Sequence, residues 1–147
     1  MKYIIGNDHG GIDLVDSVEE KLLELGHEVE KIGTYTEDSC DYPDFAKEAC
    51  EKVLSNQADF AILICGTGIG MSLAANKFKG IRAACVSDVF SAKMSRAHNN
   101  CNVLCFGSRV IGSEVAKMIV EVFANTKFEG GRHSNRVEKI TEIEEKN

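Results

Sequence analysis

Phe60-Ala61-Ile62-Leu63-Ile64-Cys65-Gly66-Thr67-Gly68-Ile69-Gly70 changes character halfway along. The first five residues form an unbroken apolar run, the pattern of a strand buried on both faces of a parallel sheet. The residues after Cys65 place three glycines at alternate positions, which lets the backbone turn tightly and present its N–H groups inward. A helix is expected to follow from about Gly68 to Lys77. Strand, tight turn and helix N-terminus thus meet here, and the positive end of the helix dipole adds to the inward N–H groups as a cradle for an anion.

The same alternation runs outward in both directions. Tyr3-Ile4-Ile5 reads as a strand that stops at Gly6. Ile12, Val15, Val18, Leu22 and Leu25 recur at steps of three and four, the mark of a helix face, and Gly26 ends it. A second strand is expected over 27–32. Pro43 suits the first turn of a helix lined by Phe45, Ala49 and Val53. A fourth strand is read over 81–86, followed by a helix that Asp88 can cap. A fifth is read over 102–106. Val115, Met118, Ile119, Val122 and Phe123 then mark another helix. Strand and helix alternate five times, which argues a doubly wound parallel α/β sheet of five strands in a single domain spanning 1–147. Gly130-Gly131 precede a last helix over about 134–145, with Ser134 as its expected N-cap. Its apolar stripe of Val137, Ile140 and Ile143 is narrow. It suits docking on its own domain and packing on a partner subunit equally.

Composition limits the partners. The chain has 147 residues, 44% apolar and 27% charged, with a formal net charge of −6. An acidic balance argues against nucleic acid and anionic membrane surfaces, which need clustered positive charge. The apolar run after Met1 is far too short for a signal peptide, and no stretch approaches the ~20 apolar residues of a membrane span, so a cytoplasmic protein is expected. Six cysteines contain no CxxC pair, so zinc-ribbon and thioredoxin spacings are absent. Cys85 and Cys105 fall in apolar strands and read as packing residues.

In open α/β sheets ligands bind beyond the carboxyl ends of the strands. Asp8-His9-Gly10-Gly11 follows the first strand, the cradle follows the third, and Gly107-Ser108-Arg109 follows the fifth. His98-Asn99 stands one helix after the fourth, and Arg132, His133 and Arg136 surround the start of the last helix. All are expected to crowd one edge of the sheet. A thiol facing a helix N-terminus, as Cys65 would, has its thiolate favoured; the alternative is a buried, inert cysteine. Thr67 either satisfies a loop N–H or relays a proton. Asp8 is either an N-cap or a ligand contact, and His98 either a C-terminal helix charge or a reactive group. Arg132 and Arg136 oppose the helix dipole, a conflict that a bound phosphate would remove. The spacing GxGxG is not the dinucleotide GxGxxG. No acidic residue ends the next strand, Arg82 sits inside it, and no Gly-Lys-Ser/Thr follows for a P-loop.

Taken in order, Asp8-His9-Gly10-Gly11, Asp41-Tyr42-Pro43-Asp44, Cys65 to Gly70, His98-Asn99 and Arg132-His133…Arg136 resemble the type B ribose-5-phosphate isomerases and the related galactose-6-phosphate isomerase subunits. The resemblance spans nearly the whole chain. It implies a three-layer Rossmann-like fold, no metal and no cofactor. It implies a homo-oligomer, dimer or tetramer, whose active site is shared between subunits, with segment 130–147 packed on the partner. It implies Cys65 as catalytic base, His98 as the ring-opening acid and Thr67 as a proton shuttle. It implies Asp8, His9, Asn99, Arg109, Arg132 and Arg136 as substrate and phosphate contacts. Gly66, Gly68, Ile69 and Gly70 match the loop that stabilises an enediolate. The expected reaction interconverts ribose 5-phosphate and ribulose 5-phosphate. An isomerase of a six-carbon aldose 6-phosphate and a sugar-phosphate sensor without turnover are the alternatives. A thiol-dependent redox or hydrolytic enzyme is disfavoured, since no resolving cysteine stands at CxxC spacing.

Overall fold

The computed structural model describes residues 1–147. Its elements run β1 (Lys2–Asn7), α1 (Ile12–Glu24), β2 (Glu28–Lys31), α2 (Tyr42–Leu54), β3 (Phe60–Cys65), α3 (Ile69–Ala75), β4 (Ala83–Cys85), α4 (Val89–Ala97), β5 (Val103–Gly107), α5 (Ser113–Asn125) and α6 (Arg132–Glu145). The five strands form one parallel sheet in the order β2-β1-β3-β5-β4. Periodicity predicts the elements and leaves this order open.

Two apolar clusters make three layers. On one face α1, α4 and α5 bring Leu14, Val18, Leu22, Ala92, Ile119 and Phe123 against Ile5, Ile62, Ile64, Leu104 and Phe106. On the other, α2 and α3 bring Ala46, Ala49, Val53, Met71 and Ala75 against Ile4, Leu63, Val103 and Cys105. Successive residues of β3 enter opposite clusters, and Ala61 to Cys65 are all buried. The central strand is covered on both sides, as its unbroken apolar run requires. The helix after β1 lies on one face and the helix after β3 on the other, and the two strands are neighbours. A crevice therefore opens beyond their carboxyl ends, at the switch point of the sheet.

Local signals set several boundaries. Gly26 leaves α1 with φ +82°, Pro43 stands in the first turn of α2, and the Asp88 side chain accepts from Ser91 N at 2.7 Å to start α4. Strand β4 is shorter than the apolar run predicts. Asn102 Oδ1 takes the Arg82 N–H at 2.9 Å, so the run's first part pairs with a side chain. On its free edge the Asn76 amide both donates to and accepts from Ala83 at 2.9 Å. Side-chain amides thus replace strand neighbours there, which blunts an open sheet edge. The same use of Asn76 ends α3 at Ala75 rather than Lys77. Helix α6 starts at Arg132, two residues before the expected Ser134. Gly130 and Gly131 both adopt positive φ (+66° and +56°), and Gly131 takes the N-cap position. Cys105 is fully buried, as its strand predicts, but Cys85 ends an edge strand and is exposed.

Candidate active site

Cys65 ends β3, and Asp8, His9, Gly66, Thr67, Gly68, Ile69, Gly70 and Arg109 follow the carboxyl ends of β1, β3 and β5, so all stand at the crevice edge of the sheet. Close backbone packing builds it. A Cβ on Gly10 would stand 3.1 Å from Gly66 N, so the first and third loops touch. The Arg109 N–H donates to Gly66 O at 3.1 Å, and its guanidinium lies across Gly66. Ser108 Oγ donates to Gly10 O, tying the fifth loop to the first. The Tyr42 ring packs where a side chain on Gly70 would go.

Cys65 is the last residue of β3 and is buried, and its Sγ accepts the Gly68 N–H at 3.0 Å. Gly68 has φ +81°, which turns its N–H back onto the sulfur at the head of α3. The sulfur thus sits in the N–H cradle. Cys50, Cys101 and Cys105 are buried in the two apolar clusters. Burial pushes their thiols up, to about 12 for Cys50 and about 11 for Cys101 and well above the ordinary value for Cys105. Cys85 is raised as well, first by partial burial and then by the neighbouring Cys65. Thr67 Oγ1 accepts from Ile69 N at 3.3 Å and is otherwise exposed, so here it holds the loop.

Asp8 is buried, and its Oδ1 accepts from Gly10 N at 2.9 Å. It shapes the first loop and does not cap α1, whose N-cap is Gly11. His9 Nδ1 accepts the Cys40 N–H at 3.3 Å, with Cys40 Sγ at 3.6 Å. Nδ1 is thus the ring's acceptor toward the Cys40 loop. His9, Gly10, Ser108 and Arg109 line a cavity of about 260 Å³.

The expected second half of the site lies elsewhere. Helix α4 starts at the carboxyl edge after β4 and runs back to the first residue of β5, so its end falls at the amino edge. His98 is the C-cap residue of α4, and Asn99 follows it. Helix α5 returns the same way, and Glu129 N bonds Ala97 O at 3.0 Å. Arg132, His133 and Arg136 open α6 at that edge. A six-residue strand rises ~20 Å, so within one chain these residues stand about that far from Cys65. The single crowded edge that the sequence suggests is two opposite edges.

At the amino edge the His98 and His133 rings stack at 4.1 Å with planes 10° apart. Glu129 Oε2 lies 3.7 Å from His98 Nε2 and 3.6 Å from His133 Nε2. Burial, then His98 and Arg132, hold the His133 pKa below its ordinary value, against the pull of Glu129. The ligand atoms of these three residues fall within 4.8 Å of one another. Their geometry suits a carboxylate facing two N–H donors rather than a metal. A metal lies in the plane of each imidazole that binds it at ~2.1 Å, and two nearly parallel rings 4 Å apart share no such point. Sequence reading missed Glu129, because its position in a connecting loop carries no periodic signal. The turn after His98 is held from inside the protein. Asn100 adopts φ +49°, and the buried Arg96 guanidinium donates to Cys101 O at 2.5 Å and Asn100 Oδ1 at 3.0 Å. Arg96 also packs 4.8 Å from the Phe60 ring, and burial lowers its pKa.

Asn99 faces a larger cavity of about 720 Å³ between α6 and the β4 edge, lined also by Arg82, Ile81, Ile140 and Ile143. No helix is long and apolar enough to cross a membrane.

Known proteins share this fold and much of this sequence. Ribose-5-phosphate isomerase B of Escherichia coli is 49% identical over 145 residues, covering 99% of this chain and 97% of its own. The Clostridium thermocellum ribose-5-phosphate isomerase B structure superposes with a TM-score of 0.96 at 48% identity, covering 99% of both chains. The Mycoplasma genitalium enzyme, solved with bound ribulose 5-phosphate, superposes with a TM-score of 0.94 at 40% identity, covering 99% of this chain and 97% of its own. The family described as Ribose/Galactose Isomerase matches residues 3–140. By fold, crevice and sequence together, this chain is an aldose–ketose isomerase of the ribose/galactose isomerase family.

Proposed function

We propose that the protein interconverts ribose 5-phosphate and ribulose 5-phosphate through a cis-enediolate, with Cys65 as the base. The observation that carries this reading is the Cys65 sulfur seated on the Gly68 N–H at the head of α3, inside the crevice. Sulfur is most basic toward carbon as a thiolate, and that N–H supports the charge. Cys65 takes the C2 proton from the open-chain aldose and returns it to C1. Negative charge grows on the substrate oxygen, where the N–H groups of Gly66 to Gly70 meet it as an oxyanion hole worth ~3–4 kcal/mol per key donor. Thr67, released from Ile69 N, shuttles the hydroxyl proton between O1 and O2. Asp8, His9 and Arg109 orient the sugar from the first and fifth loops. No step calls for a metal or cofactor.

Ring opening and phosphate binding fall to His98, Asn99, Arg132 and Arg136, and these come from a second subunit. The two edges of one sheet lie ~20 Å apart, whereas a bound pentose phosphate must touch both sets. The carboxyl edge also exposes Ile69 (56%), Leu73 (61%) and Phe90 (72%) on α3 and α4, an apolar face suited to a second copy. Segment 130–147 then serves the partner, and the active unit is a homo-oligomer in the cytoplasm. His98 gives a proton to the furanose oxygen, and the arginines hold the phosphate so that remote binding energy aligns C1 and C2.

Two measurements test this. Purified protein in chelator should convert ribose 5-phosphate to ribulose 5-phosphate. No activity there, with turnover of a six-carbon aldose 6-phosphate, would reassign the substrate. Binding without turnover of any of them would make the protein a sensor. Mixing subunits of Cys65→Ala with subunits of His98→Asn should restore activity that neither has alone, because each hybrid dimer holds one intact site. Failure to complement, with subunit exchange verified by mass spectrometry, would put both residues in one chain's site.

A further inference from the structure

Glu129 belongs to no motif in the sequence, yet its carboxylate is the one acidic group set between the two stacked histidines at the amino edge. A carboxylate only accepts, so it favours a proton on each Nε2 that faces it. Two imidazolium rings stacked at 4.1 Å repel each other, and Arg132 and Arg136 on α6 add to the repulsion felt at His133. Groups this close titrate as a pair, not singly. From α4 itself the nearest guanidinium, Arg96, turns inward to the Cys101 carbonyl. From the α5–α6 connection only Glu129 supplies negative charge to the two rings.

We infer that Glu129 is a positioning residue: it holds the proton of the His98–His133 pair on the Nε2 edge and lets the pair carry one positive charge. It touches no reacting atom and acts through His98, so its part in turnover rests on the ring-opening role proposed above. The pairing itself does not. A protonated His98 can give its proton to the ring oxygen, while an uncharged neighbour at His133 spares the repulsion. Glu129 is 58% exposed at its side chain, so water screens the interaction.

The sign follows directly. Glu129 raises the proton affinity of His133, and the same carboxylate oxygen lies 3.7 Å from His98 Nε2. Its neutral replacement therefore shifts titration of both rings to lower pH. The test uses Glu129→Gln and Glu129→Asp in the full-length protein. Imidazole C–H resonances are followed by NMR against pH, with His9 and His27 as internal references, alongside kcat/KM for ribose 5-phosphate. A single charge ~4 Å away across water is expected to move the pair by about 0.5–1 pH unit. His9 and His27 should stay put, and the alkaline limb of kcat/KM should move with the pair. At pH values above that limb, kcat/KM should fall roughly 3–10-fold in Glu129→Gln, and Glu129→Asp should recover most of it. Superimposable ring titrations for the wild type and Glu129→Gln would overturn the inference. Rings that shift while the kcat/KM profile stays fixed would uphold the pairing and remove His98 from ring opening.

Discussion

Cys65→Ala is expected to lower kcat for ribose 5-phosphate by roughly 10²–10⁴-fold, the range associated with a positioned acid–base group. KM should change far less, since the proposed phosphate and sugar contacts belong to other side chains. Cys65 packs among Leu63, Met71 and Cys105, so loss of its sulfur also removes a core contact. Thermal unfolding of the variant guards against counting a folding defect as a chemical one. Cys105→Ala is the matched control. It removes a sulfur from the same cluster, fully buried and with its thiol pushed well above the ordinary value. It should cost stability and leave kcat within about twofold of wild type, because the change removes only packed atoms. Near-normal turnover by Cys65→Ala would refute the assignment of the base.

Gly68→Ala has the second largest expected effect, and it strikes fold and site together. Gly68 holds φ +81°, a conformation that costs an L-residue ~1–2 kcal/mol. The added Cβ would stand 2.7 Å from the Phe106 backbone in the central part of the sheet. Backbone cannot swing aside as a flexible side chain can, so overpacking adds ~1–3 kcal/mol. The sum is about 2–5 kcal/mol in urea unfolding. Any shift that relieves the clash also moves the N–H now donated to Cys65 Sγ. Activity should therefore fall even where the variant remains folded. Gly112→Ala is the contrast. Its φ is −88° and a Cβ there meets nothing within 4 Å, so its stability should change by only ~0.5 kcal/mol. Equal stabilities for the two variants would show that the tight turn is not under the constraint described.

Much of this was legible because it is local. The run from Phe60 to Ile64 reads as a doubly buried strand whatever surrounds it, and the glycines after Cys65 demand a tight turn. The resemblance to the family rests on five short motifs in order, and the match to a relative runs over nearly the full length of both chains. Where local reading erred, a side chain from elsewhere intervened. Strand β4 is cut short because Asn76 and Asn102, one before and one after it in sequence, take the places of strand partners. Helix α6 starts early because Gly130 and Gly131 turn the chain sooner than Ser134 could cap it.

Sequence by itself determined most strands and helices, the glycine turn after Cys65, and the candidate residues for the proposed chemistry, since periodicity, turn chemistry and motif spacing are properties of neighbours along the chain. Only the tertiary structure decided the strand order and on which edge each polar residue falls. A helix that follows a strand carries the chain back across the sheet, so His98 at the end of α4 and Arg132 beyond the end of α5 fall at its amino edge while Cys65 stays at the carboxyl edge. The pairing of Glu129 with two histidines 31 and 4 residues away appears for the same reason: it depends on where α4 and α5 both end, and no local signal encodes that.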